Sequence, residues 1–204
     1  MTNLRHVLFS MFCFVVISAP SASAATLSPV EGLEAFRRAF AGIRDFSADI
    51  AQEKHLTLMK KKLTANGTVR FRKPDSFFME LHSPSASRVL LKDNTLSLKL
   101  PNEAERQNMV LPAEQGLSRW FAFLARPVKS IPGGFDVRAE KRGTVLSLRI
   151  LPKTKGALKE LLVVFREDGR LVRLVIEENN GDRTVMGFRN VKKNTGLTDK
   201  DFQL

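Results

Sequence analysis

The chain has 204 residues, enough for one domain with an ordinary buried core. Lysine and arginine outnumber aspartate and glutamate by 33 to 21, a formal charge of +12, which suits an anionic membrane surface or an acidic partner. The basic residues are spread over many segments, with Lys60-Lys61-Lys62 the one tight cluster, and that scatter argues against nucleic acid as a partner.

The N-terminus has the pattern of a secretory signal. Arg5 supplies the positive region, Val7 to Ile17 is an almost unbroken apolar run, and Ala22-Ser23-Ala24 is a small-x-small cleavage pattern. The run is shorter than the roughly 20 apolar residues that span a bilayer. The expected organisation is therefore a cleaved signal peptide over residues 1–24 and a single domain over 25–204. Residues 1–24 hold one basic residue and no acid, so the domain keeps a charge of +11. The one cysteine, Cys13, lies inside the apolar run and not at the cleavage site. No lipid anchor is expected, and the exported domain has neither a disulfide nor a thiol nucleophile.

Ser28-Pro29-Val30-Glu31 is a capping box with proline at the first helical position. Val30, Leu33, Phe36, Phe40 and Ile43 then recur at helical spacing and predict one buried stripe. From Phe46 the period becomes two. Phe46, Ala48 and Ile50 alternate, as do Leu63, Ala65, Gly67, Val69 and Phe71. Asn66-Gly67 fits either a hairpin turn or a close approach within one long strand. Phe77, Met79 and Leu81 form the next apolar face, followed by strands over 87–92 and 96–100.

The segment 101–112 is polar and reads as a loop. Residues 113–125 predict a short helix on which Leu117, Trp120, Phe121 and Leu124 share a face. Five further strands are expected over 135–140, 144–151, 158–166, 171–178 and 183–191, with turn chemistry at Asp168-Gly169 and Asn180-Gly181-Asp182. Short turns between successive strands imply antiparallel pairing. The fold class is α+β, with about ten strands in one antiparallel sheet curled toward a barrel. Leu161, Val163 and Phe165 alternate with Leu162 and Val164, so both faces need cover. The N-terminal helix is expected on one face and the Trp120 helix on the other.

Catalytic chemistry has little support. Glu53 and His55 alternate on one strand face without a third ligand in a recognisable pattern. Neither a nucleophile elbow nor a phosphate loop is present, and Asp199 and Asp201 read as loop acids. No catalytic residue, cofactor site or metal site is assigned, and the chain is read as a non-enzyme. Its apolar inventory is distinctive: fifteen Phe and no Tyr. Aromatic surfaces built only from Phe donate no hydrogen bond, which suits a dry cavity.

The segments Phe46-Ser47-Ala48-Asp49-Ile50-Ala51-Gln52 and Gly67-Thr68-Val69-Arg70-Phe71-Arg72-Lys73-Pro74-Asp75-Ser76-Phe77, with the signal, the amphipathic helix and the mid-chain helix, resemble the LolA family of periplasmic outer-membrane lipoprotein carriers. The resemblance covers nearly the whole exported chain. It implies an incomplete antiparallel β-barrel with helices as a lid over a hydrophobic cavity. It also implies a soluble shuttle that carries acylated cargo from an inner-membrane ABC transporter to an outer-membrane receptor; the chain itself is expected to be a monomer. An arginine that helps hold the lid shut in well-known members is matched here by Lys73, a point donor without a guanidinium's fork. Arg72 is expected on the opposite face of the strand. The residues expected to contact lipid or lid are Val69, Phe71, Lys73, Phe77, Met79, Leu81, Trp120, Phe121 and Leu124. Lys73 and the positive charge also suit a related carrier of another lipid, glycolipid or pigment; a secreted hydrolase is the remaining alternative.

Overall fold

The computed structural model describes residues 24–101, 103, 105–111, 117–131, 133–153 and 156–204; within the mid-chain helix it describes the side chains of Leu117, Ser118, Phe121 and Ala122. Of the expected signal peptide, 1–24, residues 1–23 lie outside the described residues.

Among the described residues, twelve strands form one antiparallel sheet: β1 (Ala25–Leu27), β2 (Asp45–Leu56), β3 (Lys61–Arg72), β4 (Ser76–Leu81), β5 (Ser87–Lys92), β6 (Thr95–Lys99), β7 (Gln107–Val110), β8 (Phe135–Arg142), β9 (Val145–Pro152), β10 (Leu158–Arg166), β11 (Leu171–Glu178) and β12 (Arg183–Lys193). Their spatial order is β1-β8-β9-β10-β11-β12-β2-β3-β4-β5-β6-β7, so β1 and β7 are the two edges and the barrel stays open. Helix α1 (Pro29–Ala41) precedes β2, helix α2 (Leu117–Leu124) follows β7, and a 3-10 turn (Asp199–Phe202) ends the chain. Among the described residues, no helix is long and apolar enough to cross a membrane.

The sheet is longer than expected by two strands. β1 is three residues against the edge of β8, too short for any periodicity. β7 falls inside the polar segment read as a loop, and all four of its residues are exposed, so it carries no alternation of burial. It is held by backbone pairing to β6, with Met109 opposite Leu96.

Gly67 lies inside β3, which runs unbroken through it. A Cβ there would stand 2.0 Å from the Glu80 carbonyl oxygen. The glycine therefore marks a close approach of β4 and not a turn.

Helix α1 starts as its sequence dictates. The Glu31 N–H donates to Ser28 Oγ at 3.3 Å, and the Ser28 N–H donates to Glu31 Oε2 at 2.8 Å. Its apolar stripe faces the concave side of the sheet, where Leu33 joins a buried cluster with Val137, Ala139, Leu146, Leu148 and Phe165. Gly32 lets the helix sit low: a Cβ at that position would be 2.2 Å from the Ala139 Cβ.

Helix α2 lies on the same concave side, not on the opposite face as the alternation of β10 suggested. The Phe121 ring stacks 5.0 Å from that of Phe71, and Phe71 lies opposite Phe46 on the inner face. The outer face of β9 to β11 carries no helix among the described residues. Leu162 and Val164 are half-buried there, beside an Arg149–Glu160 ion pair and the pairing of Glu177 with Lys159 and Arg183. Long charged side chains cover apolar surface with their stems while their heads stay in water, so this face needs no second layer.

The C-terminal turn covers the outer face elsewhere. Phe78, 2% exposed, lies under Arg70, whose guanidinium carbon is 5.4 Å from the ring centroid; Arg70 in turn donates to the Asp201 carbonyl. Asp199 is no loose loop acid: it pairs with Arg72. Asp201 Oδ2 accepts from the Thr198 N–H and hydroxyl, closing that turn.

Candidate functional site: an apolar cavity under two helices

Two buried clusters meet on the concave side. One is built on β2, β3 and β4 and includes Phe46, Ile50, Val69, Phe71 and Leu81. The other lies under α1. Phe40 and Leu171 pack against both. Between them the side chains leave a cavity of about 320 Å³.

Its walls come from every layer. Helix α1 contributes Leu33, Phe36 and Phe40, and Ile43 follows it. Phe46, Phe71 and Phe77 come from β2 to β4, Leu148, Ile150, Leu161, Val163 and Leu171 from β9 to β11, and Leu117 and Phe121 from α2. The remaining lining residue, Lys73, is the one cation among the described residues of the lining. The register explains why the aromatic residues gather: Phe46, Phe71, Phe77, Leu91, Leu96 and Met109 stand in one cross-strand row from β2 to β7. Alternation along each strand turns that whole row inward.

Three polar ties hold the helices over this hollow. Asp93, in the turn between β5 and β6, accepts the Ser118 N–H on Oδ1 at 3.1 Å and the Leu117 N–H on its carbonyl at 3.2 Å. These satisfy two of the donors that the start of α2 would otherwise leave unpaired. Beyond α2, the Val128 N–H donates to Glu34 Oε2 at 3.0 Å, strapping the chain to α1. The same Glu34 accepts two hydrogen bonds from Arg37, at 2.7 and 2.8 Å. The Arg37 hydrogen bonds, and then the Val128 amide, lower its pKa to about 2.

The third tie is Lys73. Its Nζ donates to the Phe40 carbonyl at 2.8 Å and stands 5.7 Å from the Phe121 ring centroid. The ammonium thus sits at the C-terminal end of α1, where the helix dipole favours a cation, and touches α2 through a cation–π contact. Burial lowers its pKa from the ordinary lysine value. Arg72 does point away, as its register requires: its guanidinium lies 5.1 Å from the Phe202 ring centroid on the outer face.

Of the residues expected to meet lipid or lid, Phe71, Lys73, Phe77 and Phe121 line the cavity. Val69 and Leu81 lie further along the same face in the buried core, and Met79 packs against them. The side chains of Trp120 and Leu124 lie outside the described residues. The reading from sequence left out the α1 wall of Leu33, Phe36, Phe40 and Ile43, although their stripe marked them as buried, and the wall given by β9 to β11.

Glu53 and His55 do share a face, with Oε1 and Nε2 2.6 Å apart, and Lys62 Nζ lies 2.7 Å from the other Glu53 oxygen. Among the described residues, no group of three or more possible metal ligands gathers.

The family model described as "Outer membrane lipoprotein carrier protein LolA" matches residues 41–204. The chain belongs to the LolA family. An outer-membrane lipoprotein carrier protein of Pseudomonas entomophila (strain L48) is 26% identical over 140 residues, 68% of this chain and 67% of the relative. One of Pseudomonas fluorescens (strain Pf0-1) is 23% identical over 173 residues, 76% of this chain and 83% of the relative. A LolA superfamily protein of Nitrosomonas europaea matches in structure at a TM-score of 0.46 and 13% identity, over 87% of this chain and 98% of that one; at that score the likeness decides nothing by itself. The LolA family is one of carriers, and the open sheet with helices on its concave side is the incomplete barrel expected for a member.

Proposed function

We propose that this chain is a soluble, monomeric periplasmic carrier that takes the acyl chains of lipoproteins into the cavity under α1 and α2. It carries them from an inner-membrane ABC transporter to an outer-membrane receptor. Residues 1–24 act as its export signal, and 25–204 fold as one carrier domain that performs no catalysis and needs no cofactor. The observation that carries this reading is the hollow itself: about 320 Å³ walled by apolar side chains, with Lys73 the one cation among its described lining residues.

Burying acyl methylenes in such a space gains about 0.8 kcal/mol each, so one sixteen-carbon chain would gain on the order of 10 kcal/mol. Entry of a whole chain moves α2 outward, and the ties at Asp93, Lys73 and Glu34 set what that motion costs. The cost lowers net affinity, as a carrier that must also release its cargo needs.

The test is to purify the protein from its native compartment, extract it with organic solvent and analyse the extract by mass spectrometry. Triacylated lipoprotein in the extract is the expected result. Free lipid, glycolipid or pigment instead would keep the cavity but change the cargo. Extracts with no acylated or lipid species, or ester turnover abolished by replacing one serine or histidine, would overturn the reading.

A further inference from the structure

The hairpin joining β2 and β3 lies outside the cavity, at the far end of the two twelve-residue strands. Its turn presents two apolar side chains to solvent: Leu58 is 94% exposed and Met59 64%, and Leu63 on the returning strand is 41% exposed. Lys60, Lys61 and Lys62 stand between them, all exposed. From Glu53 to Leu63 there are four lysines and one carboxylate, and that carboxylate is already paired with Lys62 and His55.

The tip is both projected and braced. Pairing of β3 with β4 begins at Gly67, so β3 from Lys61 to Asn66 extends past the end of β4. The Thr57 N–H donates to Asp182 Oδ1 at 2.8 Å and its hydroxyl to the Gly181 carbonyl at 2.6 Å. Within the turn the Lys60 N–H donates to the Thr57 carbonyl at 3.2 Å. Two aliphatic residues held outward on a pinned turn cost solvation with nothing among the described residues to cover them, and such exposure marks an interaction site.

We propose that this hairpin tip docks the protein reversibly onto an anionic bilayer surface, with Leu58 and Met59 entering the headgroup boundary and Lys60, Lys61 and Lys62 contacting the acidic headgroups. The chemistry matches both layers of such a surface, since apolar burial and attraction to anionic lipid together set interfacial binding. A bilayer accepts a convex aliphatic tip without a shaped pocket, which a protein receptor would have to supply. The tip also shares a face with the cavity: Leu63, Ala65, Gly67, Val69 and Phe71 alternate inward along β3, and Leu63 and Phe71 are about 26 Å apart at ~3.3 Å per residue. Docking there would bring the sheet's concave face, and the hollow beyond it, to the membrane.

The test uses the exported protein, with its N-terminus checked by mass spectrometry so that no leader contributes. It is sedimented with vesicles of phosphatidylcholine alone and of an equal mixture with phosphatidylglycerol. Binding to the anionic vesicles, weakened by salt, is expected. The double variant Leu58→Asp with Met59→Asp should lose binding roughly tenfold or more, and Lys60→Gln, Lys61→Gln and Lys62→Gln combined should lose roughly fivefold per charge. Both variants alter exposed side chains and should keep the wild-type melting temperature. They should also take up a soluble acyl probe as the wild type does, so the docking and carrier readings fail separately. Wild-type binding by either variant would overturn the proposal. So would absence of binding to protein-free vesicles alongside binding to native membranes, which would point to a protein receptor.

Discussion

Replacing Phe77 by glutamate would place a carboxylate among Phe46, Phe71 and Phe121, in a hollow where the one cation among the described residues, Lys73, is already held by the Phe40 carbonyl. An uncompensated charge in apolar surroundings is costly. Phe77→Glu is expected to fold but to bind a fluorescent acyl probe at least roughly tenfold more weakly. Binding should partly return as the pH is lowered and the carboxyl, its pKa raised by the apolar surroundings, takes up a proton; a wild-type affinity would remove Phe77 from the site. Lys73 acts in the opposite sense. A hydrogen bond from a charged donor contributes about 1.5–3 kcal/mol, and the desolvation that lowers its pKa offsets part of that. With a net of about 1 kcal/mol favouring the closed form, Lys73→Met should raise apparent affinity for the same probe roughly fivefold. An unchanged affinity would show that this tie does not oppose opening. At this scale the sequence showed the inner faces well. Strict alternation placed Phe71 and Phe77 inward and Arg72 outward, and the structure agrees. It did not show which inward residues border empty space. Val69 and Phe71 have the same pattern, yet one is packed solid and the other lines the cavity, because a void depends on what approaches from α1 and α2.

At the scale of elements, α2 depends on contacts distant in sequence. Its first amides are taken by Asp93, and the chain beyond it by Glu34. The pKa of Glu34 falls from the ordinary 4.5 to about 2. A depressed carboxylate contributes fully above its unfolded value and is lost as pH falls through its folded value. The strap should therefore be intact above about pH 4.5 and released progressively toward pH 2. Hydrogen exchange at the Val128 amide checks this: its protection is expected to fall across that window in the wild type and to be low throughout in Glu34→Gln. Protection independent of pH would contradict the role given to Glu34. The capping box of α1 was fully legible, because Ser28, Pro29 and Glu31 act within four residues. The placement of α2 was not. Leu162 and Val164 made the outer face look like a surface in need of a helix, whereas the charged pairs around Glu160 and Glu177 already serve it. β7 was missed for a related reason: an exposed edge strand is specified by its neighbour's backbone and not by its own side chains.

Across the whole molecule, the number of strands and their open order follow from twelve short or long runs paired in sequence, with β12 returning to β2. That return, with Met186 opposite Gln52 and Phe188 opposite Ile50, joins two halves that the sequence presents far apart. Composition alone suited a dry interior, with twelve Phe and no Tyr beyond residue 24, but did not give its volume. The central claim is that α2 lifts from the sheet when an acyl chain enters. The domain beyond residue 24 has no cysteine, so spin labels can be placed at Arg38 and Ala122, which are exposed on α1 and α2. The distance between them is then measured by pulsed electron paramagnetic resonance with and without saturating acylated peptide. A longer or broader distance distribution in the bound state is predicted; an unchanged distribution with peptide demonstrably bound would contradict it.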